Sequence, residues 1–158
     1  MRKKILIVNP PVFSPQPWNN ADSSAMGPYA FASELKSQGL DVAVFDFITE
    51  RRGLDGWTNV RVERVARVGN FEAERLSKRV YYIGANERHY INYLKAYKPN
   101  TVLISCLFTF YWEGAKLVYD VTREFNPNIR IYIGGNYPTL CLSHAREHFP
   151  EAGVVASR

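Results

Sequence analysis

Short aliphatic runs recur along this chain with helical stretches between them, and this alternation constrains the fold more than any other feature of the sequence. The runs lie at residues 5–8, 42–47, 101–105, 129–133 and 153–156. Consecutive aliphatic residues without polar alternation are typical of strands buried on both faces, as in a parallel sheet. The alternation therefore predicts one α/β domain, residues 1–158, with helices on both faces of a five-stranded parallel sheet.

The helices are predicted from apolar spacing and from start and stop signals. Phe31 and Leu35 share a helix face after a start at Gly27-Pro28, and Gly39 ends that helix. The other predicted elements are a short extra strand at 61–65 and helices at 71–97, 115–125 and 139–148, the first of them interrupted at Gly84. In this order, the elements predict a doubly wound, flavodoxin-like (Rossmann-like) sheet with strand order 2-1-3-4-5.

Composition excludes several classes of protein. With 46% hydrophobic residues, the chain can bury a full core without disulfides or structural metals. No apolar run reaches the ~20 residues of a membrane span. The run that follows the basic residues 2–4 stops at Asn9-Pro10-Pro11, too early for a signal peptide. The sequence therefore predicts a cytoplasmic protein with no membrane partner.

Neither the cysteines nor the net charge indicates a metal centre or a nucleic-acid site. Cys106 and Cys141 belong to no CxxC motif and to no Cys/His cluster, which predicts two free thiols. The net charge is +5, but the basic residues between Arg51 and Arg88 are interleaved with acidic ones. Such mixing is typical of a solvated face, so nucleic-acid binding is not expected.

The carboxyl ends of the strands are where a ligand is expected, because a doubly wound sheet binds ligands outside that edge, near the switch in strand order. Three loops leave this edge, at residues 9–26, 105–111 and 134–140. The first lacks both GxGxxG and the Walker pattern, which argues against a dinucleotide or a nucleoside triphosphate. Asp46 ends the second strand, where it could hold a ribose hydroxyl or, as such residues more often do, cap the following loop.

The second and third loops carry residue types that suit a large ligand. Ser105 places a hydroxyl at the end of the third strand, and the aromatic run that follows can form a hydrophobic wall or pack the next helix. Gly134-Gly135 lacks side chains at the end of the fourth strand, which permits close approach to the backbone or a tight turn with positive φ. His144 and His148 are spaced i,i+4, but no third ligand is evident, so a solvent-facing pair is expected.

These loops resemble those of a known family, the cobalamin (vitamin B12)-binding domain at the N-terminus of B12-dependent radical SAM enzymes. Ser105-Cys106-Leu107 fits the SxL mark after the third strand, and Gly134-Gly135 fits the GG mark after the fourth. The likeness extends over nearly the whole chain, and the similar segments are residues 4–11, 27–46, 97–105 and 126–135.

The resemblance implies a domain that binds cobalamin with the cofactor's own base displaced from cobalt. The family's broader DxHxxG mark is missing after the first strand, so no protein histidine is expected on the cobalt. A second departure is Tyr137, where relatives often have histidine. No catalytic or metal-ligating residue is expected in this chain, and the cofactor-binding residues that the resemblance implies are Asn9, Pro10, Pro11, Ser105, Cys106, Leu107, Phe108, Thr109, Gly134, Gly135, Asn136 and Tyr137.

The family's radical chemistry needs a CxxxCxxC motif for a 4Fe–4S cluster and S-adenosylmethionine, and these 158 residues do not contain it. The resemblance therefore implies an N-terminal fragment that presents cobalamin to a catalytic domain of the same chain beyond Arg158. Methyl transfer or related radical chemistry would take place there. Two other interpretations stay open: the N-terminal half of a two-domain glycosyltransferase, and a flavodoxin-like interaction module.

Overall fold

A parallel five-stranded sheet forms the centre of the computed structural model, which describes residues 3–14, 26–50, 57–62 and 80–156. Its strands are β1 (Lys4–Asn9), β3 (Asp41–Asp46), β6 (Thr101–Ser105), β7 (Arg130–Gly134) and β8 (Gly153–Val155). They lie in the order β3-β1-β6-β7-β8, and every neighbouring pair is parallel. Counted among these five strands alone, the order is 2-1-3-4-5, which confirms the predicted doubly wound fold.

Six helices are present in the described part of the chain. They are α1 (Met26–Ser37), α2 (Phe47–Glu50), α3 (Glu87–Tyr97), α4 (Trp112–Phe125), α5 (Asn136–Leu140) and α6 (Leu142–His148), with a 3-10 turn at Thr109–Tyr111 before α4. None of them has the length and apolar character that crossing a membrane requires.

The two faces of the main sheet are covered unequally. On one face, Ala32 of α1 packs against Ile7 and Val42. On the other face, a larger core forms between the sheet and the helices α3, α4 and α6, and it contains Leu6, Val8, Phe45, Tyr90, Leu94, Val102, Ile104, Val118, Ile131, Ile133, Ala145 and Phe149. The burial of these apolar side chains is the main stabilising contribution to the fold.

A second, antiparallel sheet corrects two predictions. It consists of β2 (Val12–Ser14), β5 (Val80–Gly84) and β4 (Trp57–Val62), in the order β2-β5-β4. Residues 80–84 therefore form a strand where a helix was predicted. The physical reason is composition, since the run Val-Tyr-Tyr-Ile consists of β-branched and aromatic residues that favour strands. The extra strand predicted at 61–65 occurs earlier, and residues 63–65 and 71–79 lie outside the described part.

Two helix boundaries also differ from the predictions. α3 begins only at Glu87, where the Asn86 side chain accepts a hydrogen bond from the His89 amide at 2.8 Å and so caps the helix. The helix predicted at 139–148 is divided into α5 and α6, because Cys141 has non-helical backbone angles of −123° and 49°.

Candidate functional site

The carboxyl edge of the main sheet brings together the ends of four strands. Asp46, Asn9, Ser105 and Gly134 end β3, β1, β6 and β7, which are neighbours in that order. Asn9 is in register with Asp46, and Ser105 with Gly134. The strand order reverses between β1 and β6, which is where such sheets form a ligand crevice. The expected site residues therefore lie along one edge of the sheet.

The carboxylate of Asp46 is occupied by the protein itself. The residue is 1% exposed. It accepts hydrogen bonds from the Asn9 side chain at 2.8 Å, the Ile48 amide at 2.9 Å and the Thr49 hydroxyl at 3.0 Å. The Tyr29 hydroxyl donates a longer one, at 3.5 Å. These donors offset the cost of burying the carboxylate and cap the start of α2. Asp46 therefore caps α2, and its carboxylate is engaged by protein donors rather than available to a ribose hydroxyl.

Pro10 and Pro11 are buried beneath two neighbouring elements. Gly114, in the first turn of α4, lies so close that a β-carbon there would be 1.8 Å from the carbonyl oxygen of Pro11. A β-carbon on Gly84, at the end of β5, would be 2.8 Å from the β-carbon of Pro11. Pro11 is thus held between α4 and the small sheet. Both prolines are buried against other parts of the protein. Other residues that were expected to bind the cofactor are more exposed.

The two glycines after β7 have different environments. Gly135 has a φ of 113°, and a β-carbon on it would be 2.4 Å from the carbonyl oxygen of Cys106. Two hydrogen bonds join the loops after β6 and β7 here. The Cys106 amide donates to the carbonyl oxygen of Gly134 at 2.8 Å, and the Tyr137 amide donates to the carbonyl oxygen of Cys106 at 3.2 Å. A β-carbon on Gly134 would make only ordinary contact, 3.7 Å from the β-carbon of Val155. The packing of the protein itself therefore requires glycine at 135 but not at 134.

Ser105 and Gly134 share the sheet face on which α1 lies. Ile104 and Ile133 enter the core beneath α4, so their strand neighbours point to the opposite face. On that opposite face, α1 contacts β1 and β3. We call the remaining strip, over β6 to β8, the open face; it comprises Leu103, Ser105, Arg130, Tyr132, Gly134, Gly153 and Val155.

An apolar rim lies beside a polar group at the end of β6. The Ser105 hydroxyl is half-buried and makes no hydrogen bond within the described residues. Leu107 and Phe108 follow it and are 48% and 43% exposed. Thr109 and, across the edge, Asn136 are exposed as well. This arrangement can bind a ligand that has both an apolar surface and a hydrogen-bonding group.

Cys106 lies in the same loop but is buried, with 1% of the residue exposed. Burial raises the pKa of its thiol to about 12. The thiol therefore stays protonated at neutral pH, and a protonated thiol is a poor nucleophile and a poor metal ligand. Cys106 contributes its backbone to the edge, through the hydrogen bonds with Gly134 and Tyr137.

The histidine pair belongs to a cluster of rings beneath the third loop, which the sequence did not predict. Tyr137 is 1% exposed, and its hydroxyl is 2.6 Å from Nδ1 of His144. The rings of His144 and His148 stack with centroids 4.0 Å apart, and Trp112 meets both edge-on. Nδ1 of His148 donates to the carbonyl oxygen of His144 at 2.9 Å. The prediction of a solvent-facing pair was wrong, because both histidines are half-buried.

Burial also raises the pKa of the Tyr137 phenol above its usual range. The phenol therefore stays protonated at neutral pH and can donate to His144. Because its side chain is directed into the ring cluster, Tyr137 can reach a ligand at the edge only through its backbone. The i,i+4 spacing of the histidines was the one signal in the sequence for this cluster.

Neither metal-ligating side chains nor comparisons with known proteins assign a further role to this site. Within the described ranges, no group of three or more His, Cys, Asp or Glu side chains could hold a metal ion. No protein-family model matches the sequence, and no curated protein matches it.

Proposed function

We propose that this chain binds cobalamin at the carboxyl ends of β6 and β7, with the cofactor's own base displaced and no protein histidine on cobalt. One observation carries the proposal. Ser105 and Gly134 are in register, so a hydroxyl with no described partner lies beside a glycine that the packing of the protein does not require. A hydroxyl next to bare backbone suits a nucleotide tail that needs both a hydrogen bond and space.

The surrounding residues fit the rest of such a ligand. A corrin ring is large and has apolar faces, while amide side chains surround its edge; Leu107 and Phe108 are exposed apolar side chains beside Ser105 that can pack against such a face. In this proposal Ser105 orients the tail through its hydroxyl, Gly134 admits it, and the two apolar residues exclude water from one side of the ring. When bound, cobalamin supplies a cobalt centre that can carry a methyl group.

No described histidine is offered to cobalt at this edge. His144 and His148 are half-buried in the ring cluster beneath the third loop, where their rings stack and Trp112 meets both edge-on. The loop after β1 begins with Asn9, whose side chain donates to Asp46. These contacts support the part of the proposal in which no protein histidine binds cobalt.

The wider proposal follows from the resemblance of the sequence motifs. We infer an N-terminal domain of a cytoplasmic B12-dependent radical SAM enzyme, in which a further domain of the same polypeptide binds the 4Fe–4S cluster and S-adenosylmethionine. This chain would bind and present cobalamin rather than turn over a substrate. The two free thiols, Cys106 and Cys141, are compatible with a reducing compartment.

Cobalamin binding can be tested directly with the 158-residue chain. The protein is incubated with hydroxocobalamin and passed through a gel-filtration column, and the corrin absorption of the protein peak is measured. We expect co-elution and a visible spectrum of the base-displaced form. A protein peak without corrin absorption at any loading concentration would contradict the proposal.

Two substitutions at the proposed site, with a control variant elsewhere, test whether the site residues bind cobalamin. Gly134→Val fills the space beside Ser105, and Ser105→Ala removes the hydroxyl; we expect them to weaken binding by about 10-fold or more and about 5-fold, respectively. Ser37→Ala is the matched control, because Ser37 ends α1 at the opposite edge of the sheet and its one described side-chain hydrogen bond is to the Glu34 carbonyl. Equal cobalamin affinities for all three variants would contradict the proposed site.

The axial ligand has a spectroscopic test. Bound cobalamin is reduced to the cobalt(II) form, and its electron paramagnetic resonance spectrum is recorded. A nitrogen nucleus bound to cobalt splits each line into three, so we expect lines without this triplet. A triplet that disappears in His144→Ala or His148→Ala would show a protein imidazole on cobalt and refute that part of the proposal.

A further inference from the structure

Three polar side chains form a row along the carboxyl edge of the main sheet. Asn9, at the end of β1, is in register with Asp46 at the end of β3. Asn9 and Ser105 lie side by side as well, because they follow residues of β1 and β6 that are in register, Val8 and Ile104. Both of those preceding residues belong to the core beneath α4, so the polar side chains that follow them point to the face on which α1 lies.

The orientation of the Asn9 carboxamide is fixed by Asp46. Nδ2 of Asn9 is 2.8 Å from Oδ1 of Asp46, and the Ile48 amide donates to that same oxygen at 2.9 Å. Because this carboxylate oxygen accepts from a backbone N–H, it is an acceptor, and Asn9 must present its amino group to it. The carbonyl oxygen Oδ1 of Asn9 branches from the same carbon as Nδ2 and is therefore directed away from Asp46.

Oδ1 of Asn9 and the hydroxyl of Ser105 are both available to a ligand. Each residue is half-buried, and neither oxygen has a hydrogen-bond partner within the described part of the chain. In that part, the one buried side-chain nitrogen or oxygen without a partner is Nε of Arg123, so these two oxygens are accessible to solvent. Because neighbouring strands are about 4.8 Å apart, both oxygens can contact the same group of a ligand.

We propose that Asn9 accepts a hydrogen bond from a ribose hydroxyl of the cofactor's nucleotide tail, and that Asp46 is the residue that positions Asn9 for this contact. The inference rests on the proposed function, in which Ser105 orients the tail. Since Ser105 is on the next strand and the same face, the tail rather than the corrin ring lies over Asn9. Oδ1 can only accept, so it recognises a hydroxyl or an N–H donor.

The charge of Asp46 also favours the sugar over the phosphate of the tail. A phosphate beside Asn9 would lie close to the Asp46 carboxylate and would be repelled by it, whereas a ribose hydroxyl is neutral. Asp46 thus acts on the ribose only through Asn9, because its own oxygens are engaged by protein donors.

Cobinamide, which has the corrin ring but no nucleotide tail, separates the two parts of the ligand. The dissociation constants of cobalamin and cobinamide are measured by absorbance titration of the full chain. Asn9→Ala should weaken cobalamin binding by about 10-fold, because a ribose hydroxyl loses its acceptor, and should change cobinamide binding by less than about 2-fold.

Two further variants calibrate this comparison. Phe108→Ala, at the exposed apolar rim, should weaken the binding of both corrinoids and shows that the cobinamide titration detects a loss. Asn128→Ala is the matched control, because Asn128 is an exposed asparagine at the opposite edge of the sheet, just before β7. This control should leave both dissociation constants unchanged.

The positioning role of Asp46 is tested in the same titration. Asp46→Ser keeps an oxygen that can cap α2, but a hydroxyl both donates and accepts, so Asn9 is no longer held in one orientation. We expect cobalamin affinity to fall by about 3-fold to 5-fold in Asp46→Ser, and by less than about 1.5-fold when the same change is made in Asn9→Ala. Circular dichroism checks that each variant is folded.

The outcomes distinguish this inference from the proposed function. A chain that binds no cobalamin contradicts both together. A chain that binds cobalamin, but in which Asn9→Ala weakens the two corrinoids equally or weakens neither, overturns the role of Asn9 alone. Additive effects of Asp46→Ser and Asn9→Ala on cobalamin affinity would overturn the positioning role of Asp46.

Discussion

At the scale of single residues, neighbours in sequence have unlike physical roles. Gly134 and Gly135 are indistinguishable in the sequence, yet only Gly135 has a positive φ and a backbone carbonyl 2.4 Å from the place of its missing β-carbon. Ser105 and Cys106 likewise differ, since the Ser105 hydroxyl has no hydrogen-bond partner among the described residues and the Cys106 thiol is buried. The direction of each side chain relative to the sheet decides these roles.

The two glycines should respond differently to alanine. Gly135→Ala forces a strained φ and a clash with Cys106, so the free energy of unfolding should fall by about 3 kcal/mol. Gly134→Ala should change it by less than about 1 kcal/mol, because the added methyl meets only Val155 at 3.7 Å. Urea denaturation measures both values. Equal losses would show that the bare backbone at Gly134 is also a packing requirement.

The buried thiol predicts a loss of stability at alkaline pH. The pKa of Cys106 rises from 9.0 to about 12 on folding, so the folded state keeps a proton that the unfolded state releases above about pH 9. The contribution is fully present below that pH and is lost as pH rises towards 12. Between pH 8 and pH 10 the loss should be about 1 kcal/mol.

Cys106→Ala removes this titration, so its free energy of unfolding should fall less steeply over the same pH interval than that of the unmodified chain. Cys141→Ser is the matched control, since that cysteine is only half-buried. Identical pH slopes in Cys106→Ala and the unmodified chain would contradict the assignment.

At the scale of elements, the contact between α4 and the loop after β1 shows why local propensity was insufficient. Gly114 is unfavourable inside a helix in isolation. It is required here because the first turn of α4 lies against the backbone of Pro11. The same loop then enters the small sheet as β2, which pairs with β5. A distant contact therefore determined the glycine, and the pairing with β2 reinforces the strand that the composition of residues 80–84 favours.

Alanine at Gly114 should consequently destabilise the protein rather than stabilise it. In an unconstrained helix the change would contribute about 1 kcal/mol of stability. Against Pro11 it should instead cost about 2 kcal/mol or more through displacement of α4. Gly27→Ala in α1, where nothing lies within 4 Å, is the control and should be neutral or slightly stabilising. Thermal unfolding of both variants distinguishes the two cases, and a higher midpoint for Gly114→Ala would contradict the packing.

At the scale of the whole molecule, the order of the strands should set their resistance to opening. β1 and β6 are hydrogen-bonded to neighbours on both sides, whereas β8 has one neighbour among the described strands. Native-state hydrogen exchange should therefore be slowest at the amides of Leu6, Val8, Val102 and Ile104, approaching global unfolding. The amides of β8 should exchange at least about 10-fold faster. Equal protection across the sheet would contradict this.

The sequence by itself determined the main sheet, its strand order and the edge at which the SxL and GG motifs meet, because buried parallel strands leave continuous aliphatic runs that need no distant partner to be recognised. Only the tertiary structure decided which face Ser105 and Gly134 share, that Pro11 is held between two glycines, and that Tyr137 turns into the ring cluster. These features depend on contacts between residues far apart in the chain. Local periodicity carries no information about such contacts.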